Sequence, residues 1–280
     1  MRKGGFVLRE DRGIPYYSCE AFDRIAHLRH GFSTRADGSG TPKQPLNLGH
    51  ASWDSVERVN ENRQRFLSAL DLEKAQLTTL HQVHSNRVYI IEDYACEWNQ
   101  SEGDALATKL EDIALAVKIA DCLPVLIADP VNRAVAAVHS GWRGTLSRIL
   151  LKTIEAMQKS LGSSPADLLV AVGPGIRECC YEVGSEVERL FEKEYPTAHV
   201  AAPVVSQPGK YHLDLCKVLD IQLDLAGVHP ENRHDLGACT RCSPESFFSY
   251  RAEGPASGRM MAVIGLTGKS HPDSIVTHPA

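Results

Sequence analysis

The chain has 280 residues, is 43% hydrophobic and carries a formal net charge of −5. That apolar share is ample for a buried core, and the charge excludes the dense positive surface that holds nucleic acid by its phosphates. The basic opening Met1-Arg2-Lys3-Gly4-Gly5 passes through Phe6-Val7-Leu8 straight into Arg9-Glu10-Asp11-Arg12, which leaves no signal-peptide apolar segment, and no apolar run reaches the length of a membrane span. A soluble, cytoplasmic protein with neither a nucleic-acid nor a membrane partner is expected.

In chain order, Val56, Val59, Phe66, Leu67 and Leu70 fall on one face of a predicted helix. Residues 78–91 alternate and are rich enough in β-branched side chains for a strand, and 113–117, 125–128 and 134–138 read as short buried strands. Asp129-Pro130-Val131-Asn132 has the residues of a turn between the last two. Leu146, Ile149, Leu150, Ile154 and Met157 form a helical stripe, with Thr145 at the expected N-cap. A further apolar run, 168–172, stops at Gly173-Pro174-Gly175, and 186–194 and 215–225 read as surface helices. No repeat or linker divides the chain, so one domain over 1–280 is expected. Strands cluster as well as alternate with helices, which predicts an α/β (α+β) layered sandwich of mixed β-sheets covered by helices.

Three segments carry the chemistry: His81-Gln82-Val83-His84, Asp121-Cys122-Leu123-Pro124 and His139-Ser140-Gly141-Trp142-Arg143-Gly144. Each sets histidine or cysteine at a predicted strand end beside a turn, where a polar side chain can leave the core. Imidazole and thiolate suit zinc, and a catalytic zinc keeps three protein ligands with a fourth position open. His84, Cys122 and His139 are the candidate set. On a strand, His81 and His84 would leave from opposite faces, so only one should reach the site. The bland alternatives are a hydrogen-bonded structural histidine and a cysteine that merely packs.

The Gly141-Trp142-Arg143-Gly144 turn, feeding a helix, is an anion site in principle and otherwise an ordinary strand–helix turn with a solvated arginine. Gly173-Pro174-Gly175 is not a dinucleotide fingerprint, and no phosphate-binding P-loop occurs. Eight cysteines, including the adjacent pair Cys179-Cys180, are too sparse for a disulfide scaffold in this context, and most are expected to be reduced and buried. Cys239-Thr240-Arg241-Cys242 has no second pair at ribbon spacing, so structural zinc is not expected there, and a redox role is not favoured.

Further segments extend the pattern: His30-Gly31-Phe32-Ser33-Thr34-Arg35, Leu46-Asn47-Leu48-Gly49, Asn60-Glu61-Asn62-Arg63, Gly103-Asp104-Ala105-Leu106, Cys180-Tyr181-Glu182-Val183-Gly184 and Phe247-Phe248-Ser249-Tyr250-Arg251. In this order, and over most of the chain, they resemble the YfiH-type family, once called laccase-domain or polyphenol oxidase proteins and associated with purine nucleoside phosphorylase activity. The resemblance implies a layered α/β fold and a metal site of His84, Cys122 and His139. It also implies phosphorolysis of adenosine, inosine, guanosine and methylthioadenosine, and hydrolytic deamination of adenosine. Gly175, where many relatives have alanine, and the charged Arg177-Glu178 depart from the pattern.

Under that reading zinc is the cofactor, and purine nucleoside and phosphate are the partners. Arg35, Arg63 or Arg143 neutralises phosphate, with Arg143 preferred. Asn47 hydrogen-bonds substrate, while Asp121 or Asp104 shuttles a proton or orients a ligating histidine. Nothing in the pattern sets an oligomeric state. A multicopper laccase would need paired H-x-H ligands, and none of the twelve histidines forms such a pair, although one N/S site can take copper in place of zinc. A metal-free cysteine hydrolase of amides or peptidoglycan fragments, built on Cys122 and a histidine, is the other enzymatic rival. A non-enzymatic docking protein lacks the exposed apolar stripe it would need.

Overall fold

The structure is a computed structural model that describes residues 1–38, 45–94 and 98–268. Two sheets face each other. The larger runs, in spatial order, Arg2–Lys3, Arg233–Asp235, Leu169–Val172, Leu123–Asp129, Ala134–Ser140, Ala105–Thr108 and Val88–Ile91. Its pairings are parallel at both ends and antiparallel in the middle. The second runs Phe6–Asp11, Ile14–Cys19, Leu28–Ser33, Met260–Leu266, Ile113–Ile119 and Gln76–Thr78, with one parallel pairing at the end. A small antiparallel sheet joins Glu182–Gly184, Lys210–Leu213 and Ala201–Pro203.

Every residue of Leu123–Asp129 and Ala134–Ser140 is buried, which is why these strands read as continuous apolar runs. Successive side chains still leave opposite faces. Leu126, Ala128, Val135 and Ala137 turn toward Phe32, Leu115, Val117 and Ile264 of the second sheet. Val125, Ile127, Ala136 and Val138 pack instead against Ile149, Ile154 and Met157 of the helix Ile149–Leu161 and Val218, Leu219 and Leu223 of Leu215–Ala226. On the outer face of the second sheet, Ala114, Ala116, Met261 and Val263 take Phe66, Leu67 and Leu70 from and beside the helix Val56–Ala69. The layers are therefore helix, sheet, sheet, helix, in agreement with the expected mixed-sheet sandwich. Among the described residues no helix is long and apolar enough to cross a membrane.

Local signals hold at several ends. The Asp129 carboxylate accepts the N–H groups of Val131 and Asn132 at 3.0 and 2.9 Å and closes the hairpin expected there. Ser55 and Asp214 cap their helices by accepting from Arg58 N and Lys217 N. Other expectations fail. Residues 78–91 are not one strand: only Gln76–Thr78 and Val88–Ile91 are extended in sheets, and the segment between them leaves the sheets. Thr145 does not cap a helix but lies inside the short helix Trp142–Leu146, where its Oγ1 pairs with Ser140 Oγ at 2.7 Å. The chain then breaks at Arg148, in the left-handed region at φ 61°, before the stripe-bearing helix begins. Val56, expected on the buried face, is exposed, and Asn62 takes a core position by donating to Asn47 O at 3.1 Å.

Candidate metal centre

Strand register brings the motifs together. His139 pairs with Pro124 and Ser140 with Leu123, so Cys122, just before that strand, lies diagonally across from His139. Val138 pairs with Ala105, which brings Asp104 next to His139. The third motif arrives on the irregular segment before Val88. His84 adopts φ 59° there, a left-handed conformation costly for a non-glycine residue that this loop maintains by hydrogen bonding.

Asp104 does the holding. Its fully buried carboxylate accepts the backbone N–H of Val83 at 3.4 Å, of His84 at 3.0 Å and of Ser85 at 2.6 Å, and the Ser85 hydroxyl at 2.7 Å. It also pairs with His139 Nδ1 at 2.8 Å. Burial would raise its pKa, but the hydrogen bond and charge of His139, with the Ser85 bonds, keep it below the ordinary value. A ring nitrogen tied to a carboxylate in this way leaves Nε2 of His139 as the lone-pair donor toward the cavity.

The donor atoms of His84, Cys122 and His139 lie within 4.8 Å of one another, with His84 Nε2 at 3.7 Å from Cys122 Sγ. The two imidazole centroids are 4.9 Å apart at 72°. Tetrahedral zinc, with Zn–N about 2.0 Å and Zn–S about 2.3 Å, needs donors roughly 3.3–3.6 Å apart, so small side-chain rotations suffice and the set fits the ion. Burial alone would push the Cys122 thiol up, but His139 and His84 bring it down to about 6. His139 is raised to about 9: burial opposes this, and the Cys122 sulfur and Asp104 overcome it. Gly141 is required by the closeness of the ligands, since a Cβ there would stand 2.8 Å from His84 Cδ2 and 2.9 Å from Cys122 Sγ.

Asp121, at φ 89°, lines the cavity and ties the Cys122 loop to distant segments. Its carboxylate accepts Thr240 Oγ1 at 2.6 Å, Ser249 Oγ at 2.7 Å and the Arg251 N–H at 2.6 Å. Its carbonyl accepts Ile176 N at 2.7 Å. Gly175 fits here because a Cβ would lie 2.9 Å from that same carbonyl and 2.6 Å from Leu123 Cδ2.

The three donors open on a cavity of about 610 Å³, walled by Trp142, Tyr181 and Tyr250 and by the cations Lys118, Arg251 and Arg259. Both His81 and His84 reach it, contrary to the opposite-faces expectation, because the segment is no strand. Lys118 is lowered to about 8 by burial and by the charge of Arg63. Arg251 reaches Glu182 O at 2.8 Å with its guanidinium 5.3 Å from the Tyr181 ring.

Other sequence candidates stand back from this wall. Arg143 is exposed and lies over the Trp142 ring at 4.4 Å. Arg35 bonds Glu253 at 2.8 Å and Pro244 O at 2.7 Å. Arg63 donates to Leu48 O at 2.9 Å and acts on Lys118 only through its charge. Asn47 is fully buried, its amide consumed by Gly49, Asp54 and the Arg259 N–H, so it bears on the cavity through Arg259. The cavity cations were not singled out from sequence. Lys118 carried a signal, as a lysine within an otherwise apolar strand, and Arg251 ends a quoted segment. The cysteine expectation also changes. Of the seven described cysteines, all free thiols, only Cys19 and Cys239 are buried, because several meet at surface turns; Cys96 lies outside the described residues.

Comparison with known proteins agrees with this architecture. The family model described as multi-copper polyphenol oxidoreductase laccase matches residues 29–267. The chain belongs to this family, of YfiH type. A Deinococcus radiodurans protein named purine nucleoside phosphorylase is 41% identical over 239 residues, covering 85% of this chain and 88% of its own length. A protein of an unknown prokaryotic organism named adenosine deaminase RL5 is 35% identical over 228 residues, covering 78% and 86%. The crystal structure of the Bacillus licheniformis hypothetical protein YfiH superposes with a TM-score of 0.81 at 28% identity, covering 93% of this chain and 99% of that one.

Proposed function

We propose that residues 1–280 form one cytoplasmic, zinc-dependent purine nucleoside phosphorylase domain. It acts on adenosine, inosine, guanosine and methylthioadenosine, and deaminates adenosine at the same centre. The observation that carries this reading is the His84, Cys122 and His139 donor set, held by Asp104, opening on a cavity with both aromatic and cationic walls. The names of the relatives supply the substrate class.

Phosphorolysis breaks the bond between the purine and the anomeric carbon while a phosphate oxygen attacks that carbon, and the transition state is cationic at the sugar. The aromatic faces of Trp142, Tyr181 and Tyr250 suit the purine, and Lys118, Arg251 and Arg259 suit phosphate. Arg35, Arg63 and Arg143 are assigned supporting rather than contacting roles, since none of them lines the cavity. His84, Cys122 and His139 would hold zinc, which when bound would supply Lewis acidity toward oxygen for both reactions. Asp104 keeps Nδ1 of His139 protonated and Nε2 available, and Lys118 Nζ holds a proton that can be passed toward the leaving base.

Product analysis by chromatography, after incubation with adenosine or inosine with and without phosphate, tests the proposal on the wild type and on His139→Ala. Phosphate-dependent release of free base that is lost in the variant supports it; equal release from the variant sinks the metal role. The lowered Cys122 thiol beside His139 supports a second reading, the metal-free cysteine hydrolase. That reading takes over if the purified protein holds no zinc and Cys122→Ala abolishes amide hydrolysis but not phosphorolysis. Copper would use the same donors, and a multicopper oxidase would need more imidazoles than this cluster of two.

A further inference from the structure

Four cysteines outside the centre meet at one point. The sulfurs of Cys179, Cys180, Cys239 and Cys242 all lie within 4.8 Å of one another, with Cys179 to Cys242 at 3.6 Å and Cys180 to Cys242 at 3.4 Å. A tetrahedral tetrathiolate zinc has Zn–S bonds of about 2.3 Å and sulfur–sulfur edges of about 3.8 Å. The arrangement is a cluster of four and not two separate pairs, since Cys242 lies within 3.6 Å of both members of the Cys179-Cys180 pair.

The backbone builds this meeting. One turn forms where the N–H groups of Cys180 and Tyr181 both reach Arg177 O, at 2.9 and 2.8 Å, and the other where Ser243 N reaches Cys239 O at 3.2 Å. Gly175 sews the two together, donating to Ala238 O at 3.3 Å and accepting from Thr240 N at 3.1 Å. The Cys239 sulfur is buried at the base, where the backbone amides of Arg177, Cys242 and Arg241 lower its pKa against the opposing effect of burial. Amide dipoles aimed at a sulfur in this way offset thiolate charge in metal–thiolate sites. Cys179 and Cys242 are exposed at the rim, which leaves a path for an ion to enter.

We propose that Cys179, Cys180, Cys239 and Cys242 form a second, structural zinc site that clamps the 177–181 turn onto the 239–243 turn. Binding exchanges thiol protons for zinc, each coordinating thiol releasing its proton to solvent, with no change in oxidation state. The clamp also bears on the first centre. Thr240, inside the second turn, donates to Asp121, and Ile176, just before the first, donates to the Asp121 carbonyl. Asp121 precedes Cys122, so the tetrathiolate site braces the loop that presents the Cys122 sulfur. The C-x-x-C segment lacks a ribbon-spaced partner in sequence because its partner is a vicinal pair some sixty positions away, at |i−j| of 62 and 63.

The test is elemental analysis of the full chain purified under reducing conditions and loaded with zinc. Two zinc ions per chain are expected in the wild type, one in Cys122→Ala and one in Cys179→Ser/Cys242→Ser. Cobalt loaded into Cys122→Ala should show the intense thiolate-to-metal charge transfer of a tetrathiolate site, and loaded into the double variant it should not. Should the double variant fail to fold, alkylation of the wild type followed by peptide mass analysis decides: zinc must protect all four cysteines, and a chelator must expose them. A Cys122→Ala protein that takes up no zinc, or four cysteines equally reactive with and without zinc, overturns the proposal. So does a disulfide among them in reduced preparations. None of these readouts depends on nucleoside turnover, so failure here leaves the proposed reaction standing, and the converse holds.

Discussion

Asp104 and His139 are joined twice: the His139 backbone N–H donates to the Asp104 carbonyl at 2.7 Å, and the His139 ring meets the Asp104 carboxylate at 2.8 Å. The main-chain bond sets the distance and the side-chain bond sets the ring. The same carboxylate fixes the His84 loop, so a single buried group orients two of the three donors.

Asp104→Asn keeps the shape but removes the charge and one acceptor. Zinc affinity is expected to fall by about 10- to 100-fold, the usual cost of removing a ligand's orienting partner. Titration against a competing chelator measures it, and unchanged affinity would show that the loop holds His84 and His139 without the carboxylate.

Gly141→Ala drives a methyl group into His84 and Cys122. Overpacking of this kind costs about 1–3 kcal/mol, so the fold should survive with a lowered melting temperature while zinc occupancy drops sharply. Zinc content and thermal melting, measured on the same sample, separate the two effects.

In the zinc-stripped protein, Cys122 and His139 should act as a thiolate–imidazolium pair. Cys122 is depressed to about 6, so its contribution to stability is present above its ordinary value and lost as pH falls through about 6. His139 is raised to about 9, so its contribution is present below its ordinary value and lost as pH rises through about 9. Stability due to the pair should therefore peak between these limits. Alkylation of the Cys122 peptide should titrate near the lower limit, and an ordinary cysteine profile, with a midpoint of about 8.5, would refute the pairing.

Arg259→Met and Arg251→Met each remove a cation from the cavity wall. The KM for phosphate is expected to rise by about tenfold or more, on the scale of one charge-assisted hydrogen bond, with a smaller change for nucleoside. Arg143→Ala should leave the phosphate KM nearly unchanged, because that guanidinium lies over Trp142 at the surface. The opposite ranking in steady-state kinetics would return phosphate binding to Arg143.

The central strands were legible because burial on both faces writes a continuous apolar run, as in 123–129. The segment carrying His84 was not. Its β-branched pattern reads as a strand, while its path is dictated by a carboxylate twenty positions away at Asp104. The three donors could be named because each adjoins a turn that stands out in sequence. The cavity cations could not, since Lys118 lies on a strand, Arg251 in the short helix Tyr250–Glu253 and Arg259 just before Met260–Leu266, and they share one wall only through pairings distant in sequence. Thr145 failed for a related reason: Ser140 competes for its hydroxyl.

Met260–Leu266 pairs with Leu28–Ser33 on one side and Ile113–Ile119 on the other, so a late segment occupies an interior place in its sheet. During synthesis the two flanking strands must wait on the ribosome with open edges until that segment emerges. Closure across so long a separation is slow, and open edges invite pairing with other chains. Arrested translation before residue 260 should therefore yield aggregates and no partial enzyme, and chaperone demand should fall once Met260–Leu266 has paired.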